Sequence, residues 1–125
     1  MKKSVLTATI SGLILSAYVL ENLFPGLKEH LWLSGIDIQN GEYWRFLTVA
    51  FVHANALHLI LNLFAFYSLG TPLEELLGRK KYLSILIFSL VSGSCLSYLF
   101  NDLNVASVGA SGMIFGLFGA LALIG

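Results

Sequence analysis

One serine, two histidines and an asparagine have the types and spacing to do acyl chemistry. Ser111 sits in Gly109-Ala110-Ser111-Gly112, where the polar run Asn101-Asp102-Leu103-Asn104 gives way to an apolar stretch that continues to Gly125. A hydroxyl at the start of a buried helix has two uses. It can be a small residue that lets membrane helices approach closely. It can also be a nucleophile, with the N–H groups of the helix start as oxyanion donors. His58 and Asn62 are four residues apart, a turn of ~400° on a helix, so both lie on one face about 40° apart. Polar groups in lipid are costly, so such a pair needs either a helix–helix hydrogen bond or a task. His53, five residues earlier, cannot share that face and is expected in the loop at the helix mouth. Two donors facing a serine hydroxyl form the geometry of an oxyanion hole beside a nucleophile. His30, His53 and His58 show no ligand spacing on one face, so no metal site is expected.

The elements that must position these residues follow from composition. Of 125 residues, 57% are hydrophobic and 11% charged, whereas a soluble domain carries about 25% charged residues. The chain is built for lipid. Formal net charge is zero and no basic run is long enough to track nucleic acid. Cys95 is the only cysteine, which excludes an intrachain disulfide, and it is expected as a small core residue.

Four apolar segments are expected to span the membrane, at about 4–20, 57–77, 82–100 and 111–125. The first follows Lys2-Lys3 and lacks a convincing small-x-small cleavage site, so it is expected to be a retained helix. Residues 21–54 include Pro25-Gly26 but are rich in Leu, Ile, Trp and Tyr, and read as short interfacial helices. Gly70-Thr71-Pro72 predicts a kink or end in the second segment. Ser89, Gly93 and Ser97 form a small-residue face on the third segment, matched by Gly112, Gly116 and Ala120 on the fourth. Lys2/Lys3 and Arg79/Lys80/Lys81 place the N-terminus and the second-to-third turn on the cytoplasmic side. The loops holding Arg45 and residues 101–104 then face outward, with Ser111, His58 and Asn62 at similar outer depth. One all-α domain, a polytopic transmembrane bundle over residues 1–125, is the expected architecture.

These residues resemble the rhomboid intramembrane serine proteases. His53-Ala54-Asn55-Ala56-Leu57-His58-Leu59-Ile60-Leu61-Asn62, Gly109-Ala110-Ser111-Gly112 and Glu42-Tyr43-Trp44-Arg45 occur in that family's order. The resemblance implies that Ser111 is the nucleophile, and that His58, Asn62 and the Ser111 N–H hold the oxyanion. It implies that His53 supports the second segment, and that Glu74 helps hold the second and third segments together. It further implies that Trp44 and Arg45 stabilise the outer loop, with Gly109 and Gly112 flanking the serine. It implies transmembrane protein substrates in a lipid membrane of the bacterial plasma-membrane type, cleaved near its outer face. It implies no metal or organic cofactor.

Family members carry the catalytic histidine on a sixth helix, after a fifth, and this sequence holds four segments. Residues 111–125 give roughly 22 Å of helix at about 1.5 Å per residue. That crosses a core of about 30 Å only from a buried start. A serine needs an adjacent base, so the base is expected from helices after Gly125 or from a second chain. The alternative is a rhomboid-like pseudoprotease that binds membrane helices without hydrolysis.

Overall fold

The computed structural model describes residues 3–124. Lys2, counted above among the flanking charges, and Gly125, the end of the expected fourth segment, lie outside them. Three long helices, α1 (Val5–Leu23), α5 (Ala56–Leu77) and α6 (Arg79–Phe100), are long and apolar enough to cross a membrane. Between the first two lie short pieces: α2 (Leu27–Leu31), β1 (Leu33–Ser34), α3 (Gly35–Gln39), α4 (Arg45–Thr48) and a single 3-10 turn, Val49–Phe51. After α6 come β2 (Ala106–Ser107) and α7 (Ser111–Ile124). Each expected segment coincides with a helix, and α7 is a shorter apolar helix than the other three. The first and third run a few residues longer than their apolar cores, because a helix continues until its backbone finds a cap.

Local signals account for the boundaries of α5. Asn55 caps it, its side chain accepting from the His58 N–H at 2.9 Å. Gly78, with φ at 86°, separates it from α6. The helix does not end at Gly70-Thr71-Pro72 but runs through Pro72 to Leu77. Neighbouring helices support such a proline in a membrane bundle. Gly70 is needed there for a different reason: a Cβ would collide with the Tyr82 hydroxyl.

At this end of the bundle the side chain of Glu74 caps α1 from another helix. Ser4, the residue at the α1 N-cap, makes no capping bond of its own. Instead the Leu6 N–H donates to Glu74 Oε2 at 2.9 Å, and the Thr7 N–H and hydroxyl donate to Oε1, each at 2.7 Å. The single Thr7 hydroxyl proton is then used, so the 2.8 Å contact between Thr7 and Tyr82 has the Tyr82 hydroxyl as donor. Glu74 thus grips the first helix directly and reaches the third span only through Thr7 and Tyr82.

The two small-residue faces meet between α6 and α7. A Cβ on Gly93 would lie 3.5 Å from the Gly112 Cα, and one on Gly116 would overlap the Ser89 side chain. Ile14, Phe66, Leu73, Leu86 and Leu117 fill the centre of the bundle. The outward faces are apolar too, with Phe64, Phe88, Phe115 and Leu123 exposed. Cys95 corrects an expectation: it lies on the exposed side of α6 rather than in the core. A helix that is apolar all round gives no periodicity to separate core from lipid-facing positions.

Candidate active site

Ser111 is the first residue of α7, and three separate ties hold the segment that leads into it. β1 and β2 pair antiparallel, Leu33 opposite Ser107 and Ser34 opposite Ala106. The Ile36 N–H donates to the Leu103 carbonyl at 3.2 Å. The Gly109 N–H donates to the Val49 carbonyl at 2.9 Å. Ala110 is fully buried, and its carbonyl accepts the first helical bond, from the Ile114 N–H at 3.2 Å. The N–H groups of Ser111, Gly112 and Met113 therefore have no acceptor within the helix and carry its positive end. Ser111 lines an open cleft of about 420 Å³, together with Gly109, Ser107, Ser97 and Gly93.

His58 and Asn62 pack against Gly109, which itself borders this cleft. The Asn62 Nδ2 is 3.1 Å from the His58 Nε2, as their spacing requires. A Cβ on Gly109 would stand 2.8 Å from the His58 Cε1, 2.9 Å from its Nε2 and 3.1 Å from the Asn62 Nδ2. Gly109 also has φ at +109°, so glycine is required both for the backbone and for the close approach. The Ala54 N–H donates to the His58 Nδ1 at 3.2 Å. This bond assigns the neutral ring its proton on Nε2. With the proton on Nε2, the 3.1 Å contact to Asn62 Nδ2 is not itself a hydrogen bond: two donors face each other, and an acceptor between them would take both.

His53 sits in the loop before α5, fully buried, with its ring centroid 4.9 Å from that of His58. Neither ring nitrogen has a hydrogen-bond partner. Burial, then the neighbouring His58, lowers its pKa from 6.5 to about 4, with the Phe51 backbone opposing weakly. Below pH 6.5 the unfolded chain takes up a proton that the folded chain resists. Stability should therefore rise with pH between about 4 and 6.5 and level off above. Acidifying from pH 7 to 4 should cost on the order of 3 kcal/mol. Unfolding in detergent at both pH values measures this, and His53→Gln should flatten the curve; an unchanged slope would assign it elsewhere.

Trp44 and Arg45 lie in the segment between α1 and α5, and among the described residues neither bonds to Ser111. Arg45 is buried and organises that segment. Its Nε and Nη2 donate to Glu42 Oε1 at 2.9 and 2.7 Å, and its Nη1 to the carbonyls of Glu29 and Trp32 at 2.7 and 2.8 Å. Asp37 Oδ2 adds a contact at 3.4 Å. Trp44 donates from Nε1 to the His30 carbonyl at 3.0 Å, and the two rings lie 5.3 Å apart. Glu74 is at the far end of α5. Sequence reasoning missed Asp37, Thr7, Tyr82 and Glu21, and it named Glu42 only as part of the Glu42-Tyr43-Trp44-Arg45 motif, without its bond to Arg45. Among the described residues, no hydrogen bond joins Ser111 to any histidine.

The rhomboid domain profile matches residues 40–125. YdcA, a Bacillus subtilis protein of the rhomboid family, is 37% identical over 105 residues, 78% of this chain and 53% of its own length. Rhomboid protease GluP of Bacillus subtilis is 39% identical over 87 residues, 70% of this chain and 17% of GluP. Rhomboid-like protease 3 of Toxoplasma gondii is 34% identical over 126 aligned positions, 96% of this chain and 48% of that protein. The chain thus spans about half the length, or less, of these relatives. The apolar helices and these likenesses make it an integral, multi-pass membrane protein, an all-α bundle that belongs to the rhomboid family.

Proposed function

We propose that these residues carry the nucleophile and the oxyanion donors of a membrane-embedded serine endopeptidase. Its substrates are transmembrane proteins, cut near the outer membrane face. Ser111 attacks the carbonyl and becomes acylated, and water then releases the acyl group. The developing oxyanion accepts from the Ser111 N–H at the positive end of α7 and from the side chains of His58 and Asn62. The observation that carries this reading is the position of Gly109: one residue with no side chain borders the serine cleft and packs against the paired donors.

Lys3, Arg79, Lys80 and Lys81 cluster at one end of the bundle, because Glu74 ties the start of α1 to the end of α5. That end faces the cytoplasm by the excess of positive charge. The serine end faces outward. A histidine from outside these 125 residues accepts the Ser111 proton, contributed by further helices or by a second chain. The His30 ring lies against Trp44, His53 is buried and weakly basic, and His58 is a donor. No cofactor takes part.

A second reading is a pseudoprotease that uses the cleft at Ser111 to bind membrane helices without hydrolysis. Reconstitution of the full-length protein in vesicles with a fluorescent transmembrane reporter separates the two. Two products with a cut near the outer end of the reporter helix are expected. A reporter held by the protein but still intact after long incubation would replace proteolysis with binding.

A further inference from the structure

We infer that Glu21 and Lys28 are positioning residues for His58, acting as a two-charge clamp on the peptide His53–Ala54. This rests on the reading of His58 as an oxyanion donor. That role requires the proton on Nε2, and the proton is kept there only while the Ala54 N–H points at Nδ1. The orientation of one peptide unit therefore governs the donor.

That peptide has little of its own to hold it. It lies between the 3-10 turn and the Asn55 cap, outside any helix or strand. Among the described residues the backbones of His53 and Ala54 together make three hydrogen bonds, one from this peptide plane and one from each plane beside it. The Ala54 N–H goes to His58 at 3.2 Å, and the other two go to charged side chains. The His53 N–H donates to Glu21 Oε1 at 3.4 Å, and the Lys28 Nζ donates to the Ala54 carbonyl at 3.3 Å. One charge comes from the last turn of α1 and the other from α2, so they fix the two peptide planes that flank the His53–Ala54 plane and limit its rotation.

Packing alone does not explain Glu21. It is buried near the C-terminal end of a helix, where the helix dipole opposes a carboxylate. Its Oε2 is buried with no hydrogen-bond partner. A leucine there would be cheaper to bury. An acceptor that fixes the His53 N–H accounts for the residue type, and Lys28 supplies a nearby compensating charge.

Nitrogen NMR of histidine-labelled full-length protein in detergent reports the His58 tautomer without any turnover. The native protein should show His58 as a single tautomer protonated on Nε2. Glu21→Gln keeps an acceptor and should leave that signal in place. Glu21→Leu and Lys28→Met should each give a mixture of tautomers. In the cleavage assay kcat should fall about 10-fold with KM unchanged, because an oxyanion donor is displaced and substrate binding is not. Lys28 is half-buried at the rim, so Lys28→Met decides the matter if Glu21→Leu does not fold. A single Nε2–H tautomer in Lys28→Met, and in Glu21→Leu where it folds, overturns the clamp. Absent cleavage with the tautomer shift present overturns the protease reading and leaves the clamp standing.

Discussion

Ser111→Ala should reduce cleavage of a transmembrane reporter by at least about 10⁴-fold in the full-length protein, with reporter binding unchanged. The methyl group replaces a hydroxyl at the first position of α7 and disturbs no packing that the hydroxyl supports. The helix start, the Gly109 backbone and the His58–Asn62 pair stay as they are. What is lost is the atom that forms the acyl bond, and no remaining group can take over that covalent step. Residual catalysis would come only from the donors that stabilise an oxyanion formed by water attack. Initial rates in vesicles, with binding followed by reporter fluorescence, give both quantities. A rate within 10-fold of the native protein would remove Ser111 as nucleophile. His58→Ala should have a smaller effect, since it takes away one donor of several.

Glu74→Ala should be the most destabilising single change in the bundle, costing about 3–5 kcal/mol. The carboxyl accepts three hydrogen bonds, and bonds to a charged acceptor contribute about 1.5–3 kcal/mol each. Part of that sum is offset because burying a carboxylate is itself costly. Alanine leaves the Leu6 and Thr7 N–H groups without partners at the membrane end of α1. Two further variants grade the effect. Glu74→Gln keeps one acceptor and should recover about half of the loss. Thr7→Val removes the link to Tyr82 and should cost about 1–2 kcal/mol. Denaturant titration of the three proteins in a single detergent checks the ranking. A loss below about 1 kcal/mol for Glu74→Ala would mean that water or lipid headgroups cap α1 equally well.

The spans were legible because length and apolar composition decide them, whatever the neighbours do. His58 and Asn62 were legible because the four-residue spacing is fixed by the helix itself. The start of α7 was legible because Gly-Ala-Ser-Gly ends a polar loop. What the sequence hid depends on residues far apart in the chain. Glu74 caps a helix 67 and 68 residues earlier, and nothing near Leu6 or Thr7 announces it. Arg45 satisfies itself largely on backbone carbonyls, which every residue type carries. The strands hold two residues each, too few for an alternating pattern to register. Cys95 was misplaced because lipid and core ask for the same side chains.

The two-residue ribbon of β1 and β2 has a mechanical consequence. Position 33 precedes two apolar helices and position 107 follows them, so their pairing closes the serine end of the molecule into a ring. A load applied at Trp32 does not dissipate in a free flap. It passes through the ribbon to Ser107, four residues from the serine hydroxyl. A pull on one side of the ring is thus felt on the other.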